Sequence, residues 1–324
     1  MKAVAYNNYG PPDVLKIIEL EKPFPKGNEV LIKIYASTVT ATDCTFRKGE
    51  PFFSRLYTGI TKPKNKILGS EFAGEIEFAG KDIKNFKVGD QVYGTLPGYG
   101  AYTEYICLTE TASTLAVKPS GVSYEDAIAC CDGFLTALPF IRDKGNILKG
   151  HKILVIGASG SVGSAAVQLS KYFGAEVTGV CSTANLDLVK SIGAEKVIDY
   201  TNEDFTKNDL TYDIIFDAVG KNKYSQCKNS LKKKGIFLEA GITLSVFPSV
   251  VLTSMFGSKK VKIMATGLRS PNERSKDLNF IKELTESGII KPVIDKIFKL
   301  DQISEAHSYV DKGHKKGIVV ITMV

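Results

Sequence analysis

This 324-residue chain has few histidines, no closely paired cysteines and no long apolar run. Each shortage closes off a class of function. Only His151, His307 and His314 occur, so the first 150 residues hold none. Catalytic zinc sites use three protein ligands, usually with His among them, so no catalytic metal is expected. The three histidines read as surface or loop residues. The six cysteines, at 44, 107, 130, 131, 181 and 227, form no CxxC pair. Several sit among apolar neighbours, which reads as reduced structural thiols rather than disulfides or a zinc ribbon. No apolar stretch reaches 18 residues, so no membrane span is expected. The start, MKAVAYNNYG, lacks the apolar centre of a signal peptide, and a cytoplasmic location follows as the default.

The composition is that of an ordinary globular protein, 44% hydrophobic and 24% charged. The length suggests about two domains. The net charge is +7, with a cluster at Lys232–Lys234. That cluster is placed at a helix end, where cations favour the dipole. The excess is read either as a long-range aid to anionic cofactors or as a genomic bias toward Lys, rather than as a nucleic-acid surface.

The most telling stretch is KILVIGASGSVGSAAVQLSKYFGAEVTGVCS, residues 152–182. An apolar strand runs into Gly157, Gly160 and Gly163, a helix pattern follows, and a second strand comes after it. The glycines let the backbone approach a pyrophosphate, and the helix start offers free N–H groups to the anion. Gly157, Ala158, Ser159, Gly160, Ser161, Val162 and Gly163 are therefore candidate cofactor contacts. The strand before and the helix after supply the context that a bare glycine motif lacks.

Residues 1–122 read as β-rich, with alternating segments at Val4–Tyr6, Leu15–Leu20, Val30–Ala36, Glu75–Phe78, Gln91–Tyr93 and Tyr102–Leu108. From Ser123, a plausible N-cap, strand and helix alternate. Strands are expected at 152–157, 176–181, 196–199, 213–217, 235–240 and 261–265. Helices are expected at 162–173, 185–192, 223–233, 245–256 and 275–287. This is an α/β pattern with a six-strand doubly wound parallel sheet over 123–269. The tail, 270–324, returns to strand, helix and strand and is assigned to the first domain.

The second Rossmann strand ends Val180-Cys181-Ser182-Thr183-Ala184-Asn185, with no acid before Asp187. An acid there would hold a ribose 2′-OH and repel a 2′-phosphate, so its absence favours NADPH over NADH. Ser182 and Thr183 can donate hydroxyl bonds to phosphate. Tyr200 either packs near the adenosine phosphate or is an ordinary strand-end tyrosine. Gly220 and Gly241 end the fourth and fifth strands, where ligands approach such sheets.

The ordered landmarks ILGSEFAGEI (67–76), FKVGDQVYG (86–94), GAYTEYICL (100–108), LAVKPSGVSYEDAI (115–128), VKSIGAEKVIDY (189–200) and DIIFDAVG (213–220) join this turn. In that order of parts the chain resembles the medium-chain dehydrogenase/reductase superfamily. Within it, the zinc-independent quinone oxidoreductase and enone reductase branch is the nearest. The resemblance implies a GroES-like, partly open β-barrel catalytic domain beside the Rossmann domain. It also implies a homodimer, and an edge strand at Val261–Ala265 is a place for one. Zinc-dependent members carry a GHE motif, and the matching residues here are Gly69-Ser70-Glu71. Glu71 is then left to a structural hydrogen bond.

By family position, Thr40 touches the nicotinamide ring and substrate, and Thr136 lines the nicotinamide end. Asp43 matches a frequent acid, or simply caps the following turn. Relatives often carry Tyr two residues later, where Thr45 stands. Phe46, Phe52, Phe53 and Tyr57 form either an apolar wall for a planar substrate or part of the core. The implied activity is NADPH-dependent reduction of quinones or α,β-unsaturated carbonyls, with Thr40 and backbone amides steadying the enolate. The proton is assigned to water or a cofactor hydroxyl. Two alternatives stay open. One is a zinc-free alcohol dehydrogenase-like oxidoreductase of the same superfamily. The other is a non-catalytic, crystallin-like protein that binds NADPH or RNA.

Overall fold

Alternation of apolar and polar residues builds the first unit, and apolar runs between helices build the second. The computed structural model describes residues 1–111, 113–241 and 246–323. Its backbone divides into two units, one of residues 1–131, 270–286 and 292–324, the other of 132–269 and 287–291.

The first unit opens with β1 (Lys2–Ala5), β2 (Lys16–Glu19) and β3 (Glu29–Val39). Helices α1 (Ala41–Lys48) and α2 (Arg55–Thr58) follow. Then come β4 (Glu71–Ala79), β5 (Gln91–Thr95), β6 (Tyr105–Thr109), β7 (Thr114–Val117) and α3 (Tyr124–Ala129). Ser123 caps α3 by accepting the Asp126 N–H at 3.0 Å. The alternation did not point to β7. It pairs with β5, not with its sequence neighbour β6, which lies on β3. Helix α3, expected with the Rossmann unit, belongs to the first one, where it packs on β3 and β4.

The second unit holds α4 (Asp132–Pro139), β8 (Lys152–Ile156), α5 (Ser161–Tyr172), β9 (Glu176–Cys181), α6 (Leu186–Ser191), β10 (Lys196–Asp199) and β11 (Tyr212–Asp217). It continues with α7 (Tyr224–Cys227), β12 (Leu231–Glu239), α8 (Phe247–Phe256) and β13 (Lys260–Ile263). The six strands form one parallel sheet in the order β10-β9-β8-β11-β12-β13. The chain crosses back over the sheet between β10 and β11. That places a topological switch at the carboxyl ends of β8 and β11, where such sheets take ligands.

Residues 223–233 do not form the long helix that their lysines suggest. Helix α7 is one turn, and the chain enters β12 at Leu231. Lys232–Lys234 therefore sit on a strand, not at a helix end. The β11–β12 register jumps from Leu231 to Ile236, and Lys234 takes φ 68°, so a bulge absorbs the lysines. Lys232 pairs with Asp213 at 2.7 Å. Pairing to β11 outweighs the weak helix preference of these residues. The expected helix at 245–256 starts at Phe247, and its first expected residue, Ser245, lies outside the described residues.

The chain then returns to the first unit through α9 (Pro271–Glu286), β14 (Ile294–Lys299), α10 (Ile303–Asp311) and β15 (Ile318–Thr322). Strand β15 pairs with β3 and completes the seven-strand sheet. A core of Val30, Ile32, Ile34, Phe72, Ile76, Val319 and Ile321 lies in this unit. Among the described residues, no helix is long and apolar enough to cross a membrane. Among the described residues, no cysteine forms a disulfide.

Candidate active site

The glycine turn follows directly from its residues. Strand β8 is apolar and buried from Ile153 to Ile156. Gly157 then turns the chain with φ 76°, in the left-handed region that favours glycine. Helix α5 starts after Gly160, which has no side chain to cap it, and no acid stands in its first turn. The first N–H groups of the helix thus keep their positive field for an anion. A Cβ on Gly163 would lie 2.0 Å from the Gly157 carbonyl oxygen, so only glycine lets the helix sit this close to the turn. This cradle fits a dinucleotide pyrophosphate.

The side chains around the turn are more committed than the sequence suggests. Asn185 donates to Ser159 Oγ and Ser182 Oγ, at 3.1 Å each, and ties the turn to the end of β9. Ser182 keeps its own hydroxyl proton. Thr183 donates its proton to Asp199 Oδ2 at 2.5 Å. Asp199 lies on β10, beyond the reach of a rule that inspects the end of β9. The hydroxyls of Thr183 and Thr201 hold its carboxyl below the usual range. Tyr200 is exposed, and its N–H reaches the Cys181 carbonyl at 3.1 Å. Asp217 is fully buried and accepts the N–H groups of Val219, Gly220 and Asn222, fixing the turn after β11. A Cβ on Gly220 or Gly241 would lie 3.0 Å from the other's Cα. Thr136 is half-buried on α4.

In the first unit, Thr40 and Asp43 form one capping box at the start of α1. Asp43 Oδ2 accepts the Thr40 N–H at 2.8 Å and the Thr40 hydroxyl at 2.6 Å, while Thr40 Oγ1 accepts the Asp43 N–H at 3.1 Å. Asp43 Oδ1 also accepts the Gly69 N–H at 3.2 Å. The Thr40 hydroxyl proton is thus already given to a carboxylate, and Asp43 fills the capping role left open for it.

His307 corrects the expectation of surface histidines. It is fully buried on α10, with Nδ1 3.5 Å from Cys44 Sγ and Nε2 3.2 Å from the Tyr102 hydroxyl. It shares a helical stripe with buried Ile303, Ala306 and Val310, a spacing visible in the sequence. Burial, reinforced by the Arg47 charge, pushes its pKa down to about 3. Arg47 is also fully buried and reaches Asp311 at 2.6 Å, so two contacts bind α1 to α10.

The donors needed for zinc are otherwise engaged. The Cys44 thiol faces His307, and Glu71 Oε2 accepts the Thr38 hydroxyl at 2.5 Å. Among the described residues, no three His, Cys, Asp or Glu side chains gather as a metal site. The set does not fit a catalytic zinc.

Phe52 and Phe53 are more than half exposed, which sets aside the core reading for these two rings. Tyr57 lines a cavity of about 270 Å³ together with Tyr6, Leu68 and Tyr99. Phe46 stands behind, 5.7 Å from the Tyr57 ring and 5.1 Å from Tyr99.

Known proteins show the same parts in the same order. Residues 26–120 match the family described as the alcohol dehydrogenase GroES-like domain, and residues 192–321 match that described as zinc-binding dehydrogenase. A 2-methylene-furan-3-one reductase of Solanum lycopersicum is 34% identical, over 99% of this chain and 79% of that protein. An NADPH-dependent alkenal/one oxidoreductase, chloroplastic, of Arabidopsis thaliana is 31% identical over the same shares. The structure of the quinone oxidoreductase from Coxiella burnetii superposes with a TM-score of 0.88 at 26% identity, covering 100% of this chain and 99% of that one. Full-length likeness to such reductases, on a dinucleotide cradle and a GroES-like unit, makes this chain an oxidoreductase of the medium-chain dehydrogenase/reductase superfamily, in its quinone oxidoreductase branch.

Proposed function

We propose that the protein is a zinc-independent, NADPH-dependent reductase of quinones or α,β-unsaturated carbonyls. The cradle at Gly157–Gly163 carries the cofactor part of this reading. When bound there, a reduced nicotinamide supplies hydride chemistry. The GASGSVG backbone would hold the pyrophosphate, and Ser182 has a hydroxyl proton for a 2′-phosphate. Tyr200 offers an exposed ring to the adenosine. Thr136 stays a candidate at the nicotinamide end, and Thr40 and Asp43 serve by holding α1 in place. Asp199 is the feature that favours NADH instead, because its carboxylate stands beside Thr183. The substrate class is supported by the printed activities of the two plant relatives. Cysteines outside any disulfide suit a reducing compartment, of which the cytoplasm is our reading.

Turnover of 1,2-naphthoquinone, an alkenal and ethanol, each with NADPH or NADH, tests the reading. Quinone or alkenal is expected to react, with NADPH at least tenfold better in kcat/KM. Reaction of ethanol alone would overturn the substrate class, and an NADH preference would assign the cofactor choice to Asp199.

The homodimer belongs to the same proposal. Strand β13 ends the parallel sheet, and the neighbouring α8 exposes Phe247, Val251, Leu252, Met255 and Phe256. An unpaired edge beside exposed apolar side chains suits a second copy. Gel filtration with light scattering should give the mass of two chains, and the mass of one would refute the dimer.

A further inference from the structure

We infer that residues 52–66 seat the protein on an anionic lipid surface. The segment is built inside out. One turn at Phe52–Ser54 runs into α2, and the side chains buried there are the hydroxyls of Ser54 and Thr58. Phe52, Phe53, Leu56, Tyr57 and Ile60 are instead each between 53% and 69% exposed. Surface helices of water-soluble proteins show the reverse pattern, with the apolar stripe inward. Fixed contacts hold the segment this way. The Tyr9 hydroxyl bonds to Thr58 Oγ1 at 2.7 Å and to the Gly59 carbonyl at 2.5 Å, and Arg55 Nε donates to the Gly49 carbonyl at 2.9 Å. Single exposed apolar side chains need no explanation, but five within nine residues mark a surface of contact.

Charge selects the occupant. Residues 51–70 include Arg55, Lys62, Lys64 and Lys66 and no acid, with Glu50 just before them. The three lysines are exposed, and among the described residues no ion pair engages them. They lie beside the apolar tip. The Lys64 N–H donates to the Thr58 carbonyl at 2.7 Å, and a Cβ on Gly59 would stand 2.1 Å from the Lys62 oxygen. The chain thus folds back on the end of α2 and brings its cations there. A protein partner would call for a different rim, because Lys is depleted at protein interfaces. Apolar side chains beside lysines suit a bilayer surface. The rings enter the headgroup boundary, and the ammonium groups meet anionic headgroups. The segment is far too short to span, so the protein lies on the membrane. Neither the cofactor cradle nor the reductase reading enters this inference.

The chain has no tryptophan, so Leu56→Trp in the full chain places a single reporter at the tip. With vesicles of phosphatidylcholine and phosphatidylglycerol in equal parts, its emission should shift to the blue. Leu252→Trp, on the exposed face of α8, should show no shift with the same vesicles. The wild type should sediment with these vesicles but not with phosphatidylcholine alone, and added salt should release it. The pair Leu56→Ser and Ile60→Ser, neither a candidate for the substrate wall, should weaken binding about tenfold or more. Joint replacement of Lys62, Lys64 and Lys66 by Gln should do the same, again by about tenfold or more. All of these lysines and apolar residues are exposed, so the substitutions leave the core intact. No binding of the wild type to anionic vesicles, equal binding to neutral ones, or a blue shift only in Leu252→Trp overturns the proposal. Unweakened binding by both multiple variants also overturns it. So does light scattering in which the Leu56→Ser and Ile60→Ser pair halves the mass, because the patch then belongs to a second copy.

Discussion

Gly163→Ala is expected to lower stability and abolish measurable cofactor binding together, whereas Gly160→Ala should weaken binding alone. The two glycines are three residues apart but meet different neighbours. A Cβ on Gly163 would stand 2.0 Å from the Gly157 oxygen, 2.7 Å from its carbonyl carbon and 2.9 Å from Ala158 Cα. All three atoms are backbone, so nothing can swing aside. Helix α5 must move off the turn, at an overpacking cost of about 1–3 kcal/mol. That movement also carries the N–H groups away from the pyrophosphate position. Gly160 has φ −79°, and its nearest backbone neighbour lies 3.5 Å from a built Cβ, an ordinary contact. Its methyl would lie on the face where an anion approaches, not in the packed joint. Urea unfolding and cofactor titration of both variants check this. Equal stability of Gly163→Ala and wild type would show that the joint has slack.

The sheet and the glycine turn were legible in the sequence because each depends on local signals. Apolar runs such as Lys152–Ile156 and Glu176–Cys181 are bounded by glycine turns, so their extents fall within a residue or so of the pattern. Segment 223–233 was misread because lysine-rich segments prefer helix weakly, while pairing to β11 is decided by the sheet. The site was legible only in part. Thr183 reads as a phosphate donor until β10 brings Asp199 against it. Thr40 reads as a catalytic hydroxyl until the capping box takes its proton. His307 was the more readable miss, since it falls on the buried stripe of α10.

Acid should loosen this protein well above the pH at which carboxylates titrate, and His307 is the cause. Its ring is neutral in the native state, and both ring nitrogens already face polar partners. Tyr102 donates to the Thr38 carbonyl at 3.1 Å, its oxygen lies 3.2 Å from Nε2, and the Cys44 thiol lies 3.5 Å from Nδ1 and donates to the His307 carbonyl at 3.8 Å. A second proton would bury a charge away from water and put it beside Arg47, with Lys48 adding to the repulsion and Asp311 only partly offsetting it. The native pKa is therefore depressed from 6.5 to about 3. The sign follows from which state binds the proton. Below about pH 6.5 the unfolded chain takes up a proton that the native state refuses, so stability falls as pH falls. The loss is about 1.4 kcal/mol per pH unit, or about 3 kcal/mol by pH 4.5, and it ends near pH 3. Asp311 also has a depressed pKa, so its contribution is present above the usual carboxylate range and is lost only at lower pH. The first loss on acidification thus belongs to the histidine. Helix α1 carries Thr40 and Asp43 and is held to α10 through Cys44–His307 and Arg47–Asp311. Opening that joint should cost activity in parallel with stability. Denaturant unfolding of the wild type and His307→Gln at pH 7.5, 5.5 and 4.5 checks the assignment. The variant should start less stable and show a slope shallower by about one proton between pH 6.5 and 4.5. Equal slopes in the two proteins would move the acid sensitivity to another group.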